Sequence, residues 1–175
     1  MWEARTPRRH AIVRAVTRPF RSYDARVSEL GLTLYGPHPP HDPLDAVVVH
    51  GGVARTSGQL PRIEGRITCI GTLGGDVTVE EGAEAARVCV LNALSVLKAE
   101  LGTLDRIERV LSLTGYVACS AGFDQQPAVI DGASRVLFDI FGVNGRHTRS
   151  AIGVAALPRG GAVELEVEVA VSPDR

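Results

Sequence analysis

The chain has 175 residues, 45 % hydrophobic and 22 % charged, with a net charge of −1 at neutral pH. That length suffices for one domain with a sizeable core, and the near-neutral charge gives no whole-chain case for nucleic acid. No window approaches the roughly 18 apolar residues of a membrane-spanning helix.

Aromatic residues make up only 5 %, so Ala, Val, Leu and Gly must fill the core and elements must approach closely. Charge is uneven. Residues 1–22 carry six arginines (Arg5, Arg8, Arg9, Arg14, Arg18, Arg21) against Glu3 alone, leaving about −6 on the remainder. A nucleic-acid tail or a targeting segment would fit such an arm. Its aperiodic composition favours a dispensable, poorly ordered extension. The expected organisation is an extension over residues 1–43 and one domain over 44–175.

In chain order, a short helix begins near Tyr23 and ends at Ser28-Glu29-Leu30-Gly31. Gly36-Pro37-His38-Pro39-Pro40-His41-Asp42-Pro43 forbids regular structure, and the His38/His41 spacing fits no zinc pattern. Val47-Val48-Val49 marks a strand, Gly51-Gly52 a two-residue hairpin turn, and Val53 to Leu60 the returning strand. Gly58, near the end of that strand, suggests a bulge or a close approach to the backbone. A short strand follows at Ile67 to Ile70. Gly71-Thr72-Leu73-Gly74-Gly75 is glycine-rich but lacks the lysine of a phosphate loop.

Thr78 to Leu101 is the clearest helix. Thr78 and Glu81 form a capping box. Ala83, Ala86, Val90, Ala93, Leu94 and Leu97 recur on one face, and Gly102 stops it. A long strand over about Val110 to Cys119 comes next. Asp124-Gln125-Gln126-Pro127 opens a second helix that runs to about Phe141. Cys69, Cys89 and Cys119 lie far apart among apolar neighbours, which predicts buried free thiols in a reducing compartment and, by default, a cytoplasmic protein.

The last elements carry the chemistry. Ser150 to Leu157 is apolar on both faces and predicts a deeply buried strand. Pro158-Arg159-Gly160-Gly161 supplies a turn. Val163, Leu165, Val167 and Val169 then alternate with Glu164, Glu166 and Glu168, the pattern of a half-buried strand. Read as a hairpin, this places Arg149 at the mouth of one strand and Glu164 near the start of the next. Such a pair suits a small carboxylic acid and a proton transfer; it equally suits a structural ion pair. His147, beside Arg146 and Arg149, is the one candidate base for RNA cleavage; it also reads as a polar loop residue before the strand, the reading its position favours. The order predicts a two-layer α+β domain, a mixed sheet with two helices on one face. Strands apolar on both sides then call for copies of the chain to cover the other face.

Ser57-Gly58-Gln59-Leu60-Pro61, the alanine-rich helix, Thr148-Arg149-Ser150, Val154-Ala155-Ala156-Leu157-Pro158 and Val163-Glu164-Leu165-Glu166 together resemble the reactive-intermediate deaminase family, RidA/YjgF. The resemblance covers roughly Asp45 to Val171, with Gln125-Gln126-Pro127 and Gly145-Arg146-His147 pointing to a longer Rid-like branch. It implies a chorismate-mutase-like fold, a homotrimer with clefts between subunits, no metal or organic cofactor, and hydrolysis of 2-imino acids to 2-keto acids and ammonia. By that resemblance Arg149 grips the substrate carboxylate, Glu164 handles the attacking water, Gly58 lets the backbone approach the ligand, and the backbone of Ala151 lies by the imine. Three positions depart from the family pattern. Leu44 stands where a pocket-closing tyrosine is usual. Asp131 lies one residue out of register with an asparagine of the second helix. Ala151 replaces a frequent cysteine. The alternative to a deaminase is a non-catalytic member that binds a small carboxylate or a protein partner. A third reading is a hydrolase of another kind, ribonuclease included. The acidic core and the lack of a row of stacking aromatics count against RNA.

Overall fold

A computed structural model of the chain describes residues 19–38 and 42–173. Most of the arginine-rich arm, and His41, lie outside the described residues.

Helix α1 (Tyr23–Glu29) starts where Ser22 accepts a hydrogen bond from the Ala25 amide. Strands β1 (Val47–His50) and β2 (Val53–Thr56) form the expected hairpin. Both Gly51 and Gly52 have positive φ, at 59° and 78°, as the tight turn between twisted strands requires. The short strand expected at Ile67 to Ile70 is instead a small separate hairpin, β3 (Arg62–Ile63) with β4 (Arg66–Ile67). Ile70 makes only an isolated bridge to Gly161. Helix α2 (Val79–Leu101) carries the predicted capping box between Thr78 and Glu81 and ends at Gly102 with φ 79°. Strand β5 (Ile107–Ala118), helix α3 (Gln126–Phe141), strand β6 (Thr148–Val154) and strand β7 (Val163–Val171) complete the chain.

The main sheet has the order β1-β2-β7-β5-β6. β5 and β6 are parallel, joined through α3, and the other pairs are antiparallel. The expectation of a hairpin between the last two strands is therefore wrong. β7 inserts between β2 and β5, and β5 separates it from β6. The physical reason is that a strand of alternating Val/Leu and Glu needs one face on the core, and only a central position gives all four apolar side chains that cover. Val163, Leu165, Val167 and Val169 are buried there. β6 takes the free edge instead, so in the chain by itself it is largely exposed, with Ile152 at 43 %. Its apolar composition had predicted burial.

Helices α2 and α3 pack on each other and on one sheet face. Close approach is built into their sequences. A Cβ at Gly132 would run into the Ala83 backbone carbonyl, so α3 can lie against α2 only with glycine there. The core is mostly Ala, Val, Leu and Ile, with Tyr23 and Phe141 as its largest fully buried side chains. Those two rings meet edge-on at 4.6 Å, the favoured geometry for an aromatic pair. Residues from Phe20 to Tyr35 thus pack into the core although they precede residue 44. Of the three thiols only Cys89 is fully buried; Cys69 and Cys119 are half-buried.

Among the described residues no layer covers the other sheet face, and it is more polar than the sequence suggested. Glu164, Glu166 and Glu168 line it, opposite Tyr116, Thr114 and Ser112 of β5. Arg55 of β2 reaches Glu166 at 3.2 Å.

Candidate functional site

Arg149 lies on β6, level with Leu113 of β5. Leu113 is fully buried on the helix side, and Arg149 follows it, turning its guanidinium toward α3. There Nη1 donates to the Asp131 carboxylate at 2.6 Å and to the Ser134 hydroxyl at 3.0 Å. Asp131 and Ser134 are three residues apart, so one helical face presents both. Among the described residues no partner is recorded for the Nε and Nη2 edge of the guanidinium. The Arg149 side chain is 25 % exposed and that of Asp131 47 %. The two form an ion pair at the rim rather than in the core.

This arginine lines an open cavity of about 480 Å³ with Ser134, Phe138, Gly145, Arg146 and His147. Phe138 forms an apolar wall, with the Arg146 guanidinium 5.9 Å from its ring centroid. His147 is no loose loop residue. Its Nδ1 lies 2.6 Å from the Gly145 carbonyl and its Nε2 3.1 Å from the Ser134 hydroxyl. Burial lowers its pKa; the Gly145 hydrogen bond opposes this, and the Arg149 charge lowers it further. With both ring nitrogens engaged, the imidazole is poorly placed as a free general base.

Glu164 is elsewhere. Alternation along β7 turns it to the sheet face away from the helices, level with Tyr116. Its carboxyl is raised above the ordinary range by burial, then by the Glu166 charge, with Arg62 pulling it back. Gly58 lies directly against it, since a Cβ at Gly58 would overlap the Glu164 carboxylate. The Gly58 flank is pinned to β7 by paired backbone hydrogen bonds between Gln59 and Leu165, at 2.8 and 3.0 Å. Gly58 and Glu164 thus lie together, and so do Arg149 and Asp131. Arg149 and Glu164 do not: β5 runs between their strands and they face opposite sides of the sheet.

Ala151 lies on β6 level with Gly115, partly packed on the core. Leu44 is 63 % exposed just before β1. Ser134 was missed by the sequence reading. Its signal was the three-residue spacing from Asp131 on the same helix face. Arg62, whose charge acts on both Glu164 and His38, had no sequence signal, because only the β3–β4 hairpin brings it there. A second cavity of about 370 Å³ lies between that hairpin and the start of α2, lined by Ile63, Cys69, Val77 and Glu81 among others. It holds none of the expected site residues.

Residues 31–163 match the family described as "YjgF/chorismate_mutase-like, putative endoribonuclease". The chain is 40 % identical over 146 residues to Protein TCP17 of Trypanosoma cruzi, covering 83 % of this chain and 91 % of that one. Among solved structures it resembles Atu1372 of Agrobacterium tumefaciens, a protein of unknown function. The TM-score is 0.79 and the identity 38 %, over 86 % of this chain and 92 % of that one. A Shewanella oneidensis protein carrying the endoribonuclease description superposes with a TM-score of 0.82 at 31 % identity, over 86 % of this chain and 99 % of its own. The protein therefore belongs to the YjgF/chorismate-mutase-like (RidA) family, in a divergent branch with Atu1372 and TCP17.

Proposed function

We propose that the protein hydrolyses small 2-imino acids to 2-keto acids and ammonia, in clefts formed between copies of a homotrimer. The observation that carries this reading is the state of Arg149. Its guanidinium lines a cavity and, among the described residues, is anchored through Nη1, which leaves the Nε–Nη2 edge to meet a ligand in this reading. That edge presents two parallel N–H donors, the match for two carboxylate oxygens.

The reaction needs a water, a base and a place for the departing nitrogen. In this reading Glu164 accepts a proton from water as its oxygen attacks the imine carbon. The carboxyl passes that proton to the imine nitrogen, giving the neutral carbinolamine. It then takes the carbinolamine hydroxyl proton and delivers it to the same nitrogen as the C=O bond forms and the C–N bond breaks, releasing the 2-keto acid and ammonia. A carboxyl raised by burial is better matched to that exchange than an ordinary surface glutamate. Arg149 and Glu164 face opposite sides of one chain's sheet, so a joint site needs Arg149 from one copy and Glu164 from another. The open sheet face would then lie between copies.

Asp131 favours a second reading, a carboxylate-binding member without turnover, because it already offsets part of the Arg149 charge. RNA cleavage is the weakest of the three. The row of Glu164, Glu166 and Glu168 repels a phosphate backbone, and both nitrogens of His147 are occupied.

The test is to generate 2-iminobutanoate and 2-iminopropanoate in situ and follow ammonia release. Acceleration that is lost in Arg149→Ala supports the deaminase. Tight pyruvate binding without acceleration supports the binding member. Light scattering giving a monomer mass at micromolar concentration would refute the shared site.

A further inference from the structure

We propose that Ser134 and His147 are positioning residues for the Arg149 guanidinium, acting as a hydrogen-bond chain that runs in one direction only. This rests on Arg149 being the carboxylate-binding residue.

The direction follows from donor and acceptor chemistry. The Gly145 carbonyl can only accept, so at 2.6 Å the His147 Nδ1 must carry a proton. Arg149 can only donate, so its 3.0 Å contact occupies a lone pair of the Ser134 oxygen. The Ser134 proton is then available to the His147 Nε2 at 3.1 Å, which accepts it only if that nitrogen is unprotonated. Each group thereby fixes the next: carbonyl, imidazole, hydroxyl, guanidinium. The start of the chain is rigid, because Gly145 is buried and has no room even for a Cβ against the Leu137 carbonyl.

The charged groups around the ring favour the neutral form. Arg149 and Arg146 flank it in its own segment. Arg109 of β5 donates to the Arg146 carbonyl at 3.3 Å. The acid Asp131 on α3 is already paired with Arg149. A protonated imidazole would add a cation beside that group and turn Nε2 into a second donor on one serine oxygen. The lowered pKa of His147 agrees with this.

Two measurements on the 175-residue chain decide the matter. The first is a two-bond ¹⁵N–¹H spectrum at pH 7.5, with the His147 signals assigned by their loss in His147→Gln. It should show a neutral ring protonated at Nδ1; an Nε2-protonated or charged ring overturns the chain whatever the site binds. The second is pyruvate affinity. Ser134→Ala should bind about tenfold more weakly with unchanged mass and melting. His147→Gln places an amide oxygen where Nε2 was and should stay near wild type. His147→Asn keeps only the Gly145 contact and should weaken binding as Ser134→Ala does. Equal affinity in Ser134→Ala and wild type overturns the positioning role if Arg149→Ala has lost binding. If Arg149→Ala also binds normally, the site reading itself has failed, while the ring spectrum still decides the chain.

Discussion

Gly58→Ala separates the catalytic from the structural reading of Glu164 with one methyl group. An added Cβ would overlap the Glu164 carboxylate, and it would also come within 2.9 Å of Cδ and 3.3 Å of Cγ of that side chain. These atoms form the end of a flexible side chain, so Glu164 swings away and the backbone stays. Gly58 is not among the glycines with positive φ, so alanine brings no backbone strain. Moving Glu164 off its preferred rotamer costs about 0.5–1.5 kcal/mol. Replacing glycine by alanine returns about 0.4–1 kcal/mol through a less flexible unfolded chain. The two nearly cancel, so melting should move by no more than about 2–4 °C. Turnover should not be spared: losing a positioned base lowers kcat by about 10²–10⁴-fold. The assay is ammonia release from 2-iminobutanoate generated in situ, beside a melting curve and a light-scattering mass. The double variant Gly58→Ala with Glu164→Gln should be no slower than Glu164→Gln alone, because both substitutions remove the same group. A folded Gly58→Ala protein that turns over like wild type would refute the argument.

Other outcomes follow from the same geometry. Arg149→Lys keeps the charge but loses the two-pronged donor, so pyruvate affinity should already fall; Arg149→Ala should cost about 2–5 kcal/mol of binding, read by calorimetry. Asp131→Asn keeps an acceptor for Nη1 but removes the competing charge. Keto-acid affinity should rise several-fold, and stability should change by under about 1 kcal/mol, as for other rim ion pairs. Because the Glu164 carboxyl is raised in the folded protein, the folded state holds that proton more tightly. Its contribution therefore favours folding at low pH and is lost as pH rises from the unfolded pKa through the folded one. Glu164→Gln should thus melt above wild type at pH 7, and the gap should close near pH 4. Tyr23 is fully buried against Phe141 and accepts a hydrogen bond from Asn144. Tyr23→Ala should cost about 3–5 kcal/mol in denaturant unfolding, whereas removing residues 1–18 should leave the midpoint unchanged.

What the sequence determined by itself was local. The Thr78/Glu81 capping box and Gly102 bound α2 because helix ends need particular side chains and one left-handed residue. Gly51-Gly52 set the first hairpin for the same kind of reason. The alternation of Val163 to Val169 with three glutamates assigned each residue of β7 to a face. The motifs around Gly58, Arg149 and Glu164 were enough to point to the family. Tertiary structure decided what depends on which strands become neighbours. Local periodicity says which way a side chain points but not which strand lies beside it. Adjacency in sequence suggested a hairpin of β6 with β7, whereas burial of β7 required the slot between β2 and β5. That choice sent Arg149 toward α3 and Glu164 toward the open face, so the proposed shared site calls for a second copy. It also gave Arg149 its anchors: Asp131 and Ser134 meet the guanidinium only because α3 and β6 come together in the folded chain.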